Sequence, residues 1–206
     1  MPTSSAIIEL TTRMAQELTW LGLAWHVGIL MVVASLLTAW RPSQRAGAWL
    51  LVGPPLSVGL AAIAYASPFN ALAFLLLALV LGFAARRRDV APVAGTPRWA
   101  IALGILLIAY GFVYPHFLPV AIAIFASPIG VVPCPTLAVL AGFTLVAGGF
   151  GSRAIPAALT AWTAFYALFG IFVLDVPLDV GLLVATAGLA ALVAHTYGPR
   201  LAGQRA

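Results

Sequence analysis

PVAIAIFASPIGVVP, residues 119–133, is the stretch whose reading decides how this chain is folded. It is apolar and uncharged, yet too short for a comfortable membrane span, which takes about 20 apolar residues. Four longer apolar runs precede it, at residues 18–40, 46–66, 69–85 and 99–118. Three follow it, at residues 134–149, 154–174 and 180–197. If 119–133 does not cross, the chain has seven spans; if it does, every later connection changes side.

Positive charge chooses between the two. Arg41 and Arg45 lie between the first and second runs, and Arg86, Arg87, Arg88 and Arg98 between the third and fourth. Arg153 lies between the fifth and sixth, and Arg200 and Arg205 follow the last. The other connections hold no Arg; the last of them carries Asp175 and Asp179. Basic residues are retained on the cytoplasmic side of a membrane. Seven spans with the N-terminus outside and the C-terminus cytoplasmic put all of these Arg residues inside. Arg13 alone is left outside, between Glu9 and Glu17. An eighth crossing at 119–133 would strand Arg153, Arg200 and Arg205 outside. The segment is therefore expected to be re-entrant or interfacial on the outer side. Irregular backbone at that depth must be buried in protein or line a wet cavity.

Composition sets the class. Of 206 residues 63% are hydrophobic and 7% charged, with a mean hydropathy of +1.10, so lipid is the expected solvent. A soluble domain carries about 25% charged residues. The expected fold is an all-α polytopic membrane bundle formed by one integral membrane domain, residues 1–206. All ten basic residues are Arg, and their excess reads as loop charge that orients the protein, with no nucleic acid as partner. The single cysteine, Cys134, rules out an internal disulfide and says nothing of compartment. No cleaved leader is expected, because no basic segment precedes the first apolar run.

Local patterns add detail. Residues 7–17 are expected to form a short interfacial helix: Ile7, Leu10, Met14 and Leu18 share one face, while Glu9, Arg13 and Glu17 make a charged ladder on another. An N-terminal extension of the first span is the alternative. Gly53-Pro54-Pro55 predicts a kink in the second span, since proline removes a backbone donor and clashes with the preceding turn. Thr186, Ala190 and Ala194, with Ala187, Ala191 and His195 beside them, form a small-residue stripe suited to close helix packing. Trp20, Trp40 and Trp99 sit at span ends, where indole rings prefer the interface.

Ionisable groups inside a membrane are costly, so each is a candidate site. His26, Tyr110, Tyr114, His116, Cys134 and Asp175 all fall toward the outer side in this topology. Pro135 suits the first helical turn, which would put Cys134 near a helix N-terminus, where the dipole favours a thiolate. Cys134 is therefore expected to be reachable from outside and more reactive than an ordinary buried thiol. With His116 and His26 it offers a candidate ligand set for a soft metal ion. A small buried hydrophobe is the alternative reading of Cys134. Asp179 reads as the cap of the last helix. A haem between the two histidines, or a quinone, is a weaker reading of the same residues.

Other chemistries are excluded. A retinal Schiff base needs Lys, and there is none. No phosphate-binding glycine motif appears, and no chain of membrane carboxylates of the kind that proton-coupled pumps use.

Gly130-Val-Val-Pro-Cys-Pro-Thr136, Tyr114-Pro115, Ser67-Pro-Phe-Asn70, Ile155-Pro156 and Asp179-Val-Gly-Leu182 together resemble a family of bacterial multi-pass membrane proteins catalogued only as a domain of unknown function. The resemblance runs from about residue 18 to about residue 195, and its G-x-x-PCPT motif is the most specific part. The family's pattern is more polar between Tyr-Pro and PCPT than residues 119–132 are here. The resemblance implies a bacterial cytoplasmic (inner) membrane location and brings no activity. The first expectation is a non-enzymatic membrane protein with an outer-leaflet pocket that binds or transports a small solute or soft metal ion. The alternative is an accessory or assembly subunit bound to partner membrane subunits, or to copies of itself, within the lipid bilayer.

Overall fold

The computed structural model describes residues 3–37, 43–87 and 96–197, and among them it is all-helical, with no strand. Trp40, Arg41, Arg88, Arg200 and Arg205 lie outside the described residues. Ten α-helices follow in order: α1 Ser4–Glu17, α2 Thr19–Leu37, α3 Gln44–Leu50, α4 Gly53–Ala64, α5 Pro68–Arg86, α6 Arg98–Phe112, α7 Val120–Ala126, α8 Pro133–Val146, α9 Ala154–Phe172 and α10 Val180–Tyr197. Short 3-10 turns at Gly148–Gly151 and Pro177–Asp179 precede α9 and α10.

Among the described residues four stretches are long and apolar enough to cross a membrane: Gln44–Ala64, Pro68–Arg86, Ala154–Phe172 and Pro177–Thr196. The apolar stretches Thr19–Val32, Arg98–Phe112 and Pro133–Val146 are shorter. At 1.5 Å per residue α8 is only about 21 Å long. It is nonetheless the centre of the bundle. Residues 133–145 are buried on every side of the helix, against α6, α9 and α10. Burial all round, with no polar face, is what a helix with apolar and small residues at every position demands.

The tightest approach in this core is between α6 and α8. A Cβ added to Gly104 would come within 2.6 Å of the Gly142 carbonyl oxygen, and one added to Gly142 equally close to that of Gly104. Gly111 continues the seam, 2.8 Å from the Pro135 carbonyl oxygen by the same measure. Without side chains at these points the two backbones can touch. The stripe expected to do this on α10 faces outward: Ala187, Ala190, Ala191, Ala194 and His195 are exposed. Leu182, Ala185, Leu189 and Leu192 form the inner face, because branched side chains fill the space between α10 and its neighbours. Of the stripe, Thr186 points inward enough to meet the Thr163 hydroxyl, at 2.9 Å.

Gly53, Pro54 and Pro55 do interrupt their span. The chain turns at Leu51 and Val52, and α4 restarts with proline in its first turn, where no backbone donor is needed. Residues 119–133 form α7 and then a buried irregular stretch, 127–132. Its polar groups are satisfied partly by main-chain turns and partly by side-chain bonds that tie it to its neighbours. The Thr136 hydroxyl accepts from the Gly130 N–H at 2.8 Å, Ser57 donates to the Gly130 carbonyl at 2.6 Å, and Ser127 donates to the Gly111 carbonyl at 2.7 Å. Trp25 in turn donates its indole N–H to Ser57 at 3.1 Å.

Helix α1 begins earlier than the periodicity suggests. Thr3 caps it by accepting from the Ala6 N–H at 3.3 Å, and the helix breaks at Leu18 before α2 starts. Glu17 then ties it to α4: it accepts from the Tyr65 hydroxyl at 2.6 Å and from Arg13 at 2.7 Å. The hydrogen bond from Tyr65, then that from Arg13, holds the Glu17 carboxyl below its usual range.

Two outcomes follow from this packing. Gly104→Val should lower stability by about 1–3 kcal/mol through overpacking, whereas Gly28→Ala, where an added Cβ meets nothing within 4 Å, should be near neutral in thermal unfolding. The lowered Glu17 carboxyl contributes stability that is complete above its unfolded pKa and is lost as pH falls through its folded value. Acidification below the ordinary carboxylate range should therefore raise hydrogen exchange in α1 before the rest of the bundle, and Glu17→Gln should remove that pH dependence.

Candidate functional site

Asp179 is the most deeply buried carboxylate of the described residues, at 1% exposure. The 3-10 turn Pro177–Asp179 swings it inward under α9. Its Oδ1 accepts from the Tyr114 hydroxyl at 2.7 Å, and its Oδ2 from the Cys134 thiol at 3.3 Å. The Tyr114 distance is that of a well-formed O–H···O hydrogen bond. Tyr110 donates to the carbonyl of Leu178, next to Asp179, and meets Tyr114 edge-on with ring centroids 5.5 Å apart.

Each element contributes for a local reason. Cys134 sits in the first turn of α8, held there by Pro133 and Pro135. Tyr114 follows the end of α6, where Pro115 prevents the helix from continuing. Two glycines make room. A Cβ on Gly170 would collide with the Asp179 carboxylate, and one on Gly181 would lie 2.6 Å from the Tyr110 ring. The cluster thus joins the ends of α6, α8 and α10, with α9 cut away beside it.

The residues expected to form an outer site divide. Tyr110, Tyr114 and Cys134 come together, and Asp179 joins them in a role that the reading as a helix cap missed. Asp175 does not: it is exposed, with φ of 55° in the left-handed region, at the turn that leads the chain back toward Asp179. His26 does not either. It is 3% exposed, its ring nitrogens face the carbonyls of Gly22 and Phe112 at 3.2 and 3.3 Å, and its ring lies edge-on to Phe112. His116 stands edge-on to Phe117, its Nε2 buried without a hydrogen-bond partner.

The soft-metal set is accordingly corrected. Among the described residues no three of His, Cys, Asp and Glu converge in a way that could hold a metal ion. The ring nitrogens of His26 face backbone carbonyls, and Cys134 directs its S–H at Asp179 as a hydrogen-bond donor. The expected reactivity of Cys134 also changes, because the thiol is 7% exposed and directed at a carboxylate rather than at solvent. Proline at α8's start places the sulfur as expected; the return of Asp179 from 45 residues later closes it off.

No protein-family profile, curated protein or solved structure matches this chain.

Chemically, the arrangement is a closed hydrogen-bond network with a carboxyl acceptor and two donors. In an apolar interior such a network fixes helix ends relative to one another when every member is satisfied. Tyr114→Phe should lower stability by about 1–3 kcal/mol, since it removes one donor from a buried acceptor. Made again in an Asp179→Asn background, the same change should cost less, with a coupling of about 1 kcal/mol or more in a double-mutant cycle read by thermal unfolding.

Proposed function

We propose that this chain is a non-enzymatic, multi-pass protein of the bacterial cytoplasmic membrane that acts as an accessory or assembly subunit through its apolar outer faces. The single observation that supports this most is the closed cluster around Asp179: the buried carboxyl spends both oxygens on Tyr114 and Cys134, 0% and 7% exposed. A solute or ion pathway uses polar groups that are open to its cargo. The cavities between helices are lined almost wholly by apolar side chains. Large apolar residues such as Leu72, Leu79, Leu106, Phe125 and Phe172 face outward, as contact with lipid or partner helices requires.

The proposed topology has seven spans, with the three shorter apolar helices crossing as well and α7 with residues 127–132 re-entrant on the outer side. The N-terminus is outside and the C-terminus cytoplasmic. Arg45, Arg86, Arg87, Arg98 and Arg153 then share the cytoplasmic side, which supports that orientation.

The second reading, an outer pocket for a small solute or soft metal ion, draws on one observation, the unpartnered Nε2 of His116. Membrane-impermeant maleimide labelling of Cys134 in intact cells, with and without a soft metal ion, separates the two. The accessory reading expects no labelling until the protein is denatured, with Cys134→Ser as the blank. Rapid labelling that the metal suppresses would replace it with the pocket reading.

A further inference from the structure

Helix α2 approaches α7 and α1 most closely, and it reaches α4 through Trp25, whose indole meets Ser57 and Gly53. Between α2, α3, α4 and α8 lies a cavity of about 190 Å³. The interruption at Gly53-Pro54-Pro55 forms one wall, as Leu50, Leu51 and Pro54 all border the space. Phe143 of α8 and Trp25 of α2 face it from other sides.

Its floor is built with care. Gly148, Gly149, Phe150 and Gly151 all have φ between 54° and 75°, a left-handed run that three of the four can adopt without strain. Phe150 cannot, and as a bulky residue it bears a steric cost there. The run turns its ring inward, 5% exposed, against Gly47, where any Cβ would strike it. Gly28 opposite leaves open space, with nothing within 4 Å of an added Cβ. Leu50, which borders the cavity, is itself 50% exposed.

The walls are almost wholly apolar. The one polar atom of the aromatic side chains, the Trp25 indole N–H, is already given to Ser57. A guest with a polar group inside would lose that group's hydration without replacement. An apolar cavity of about 150 Å³ stays dry and takes up benzene. Aromatic walls favour a flat ring through offset or edge-on contacts.

We infer that this cavity is a binding site for a compact, wholly apolar ring-bearing molecule drawn from the bilayer. The site is separate from the Asp179 cluster and does not depend on the subunit having a partner.

The test uses the full-length protein in phosphatidylcholine nanodiscs, photolabelled with 3-trifluoromethyl-3-phenyldiazirine and mapped by peptide mass spectrometry. Labelling of Val139, Phe143 and Val146 should saturate with probe and be competed by toluene. In Gly28→Trp it should fall to the background of outward-facing Leu72 and Leu79. Gly28→Leu, a smaller filling, should show the same loss with an unchanged helical circular dichroism spectrum. Labelling that rises without saturation, or that survives both substitutions, would overturn the site. Labelling displaced by added phospholipid and not by toluene would assign the space to acyl chains and overturn the ring.

Discussion

One hydroxyl, that of Thr136, carries the constraint on which the rest of the structure depends. A backbone that leaves helical geometry in apolar surroundings must have its N–H and C=O groups satisfied from elsewhere. Thr136 accepts from Gly130 and donates back to the Val132 carbonyl, so it closes the start of α8 and ends the irregular stretch before it. Ser57 of α4 satisfies the Gly130 carbonyl of that stretch, and Ser127 of the stretch satisfies the Gly111 carbonyl of α6. These bonds let a helix begin inside the bundle rather than at its surface. Since α8 is then surrounded, its neighbours are arranged around it, and the glycines of α6 must meet it at backbone distance.

The Asp179 cluster sits at the end where α8 begins, and its geometry follows from that start. Pro133 and Pro135 fix where Cys134 points, and the end of α6, seamed to α8 through Gly111, brings Tyr114 alongside. The carboxyl then arrives from the turn before α10 and joins the three ends. The opposite end of α8 is held differently, by the left-handed Gly148–Gly151 turn and the inward Phe150 ring. One end is closed by polar bonds and the other by shape. The cavity at that second end is accordingly lined almost wholly by apolar side chains.

Much of the architecture was legible in the chain, for reasons that can be named. Apolar run length marked the helices, proline marked the break at residues 53–55 and the start of α8, and the weakness of 119–133 as a span appeared as α7 and an irregular stretch. What local pattern could not reveal was which side of a helix faces in. On α10 the small residues suggested an inner face, but the leucines took it, because the volume to be filled is set by α8 and α9. The site shows the same limit. Tyr110, Tyr114 and Cys134 were recognisable as residues of one region, whereas Asp179 looked like a cap until the 3-10 turn rotated it inward. His26 lies within the same helical bundle and still plays no part, since the nearest partners of its ring are main-chain carbonyls. Metal-ligating residue types near one level of a bundle are not yet a coordination set; their directions are decided by contacts that sequence separation hides.

The order of the cluster along the chain bears on how the protein is made. A polypeptide emerges from its N-terminus, so Tyr114 and Cys134 are synthesised well before Asp179. Both donors can already be seated when the acceptor is delivered with the last helix. A lone carboxyl entering an oily interior would be the hardest group of this chain to place. Here it enters after both donors, into a socket whose hydrogens are waiting, and its capture closes the cluster.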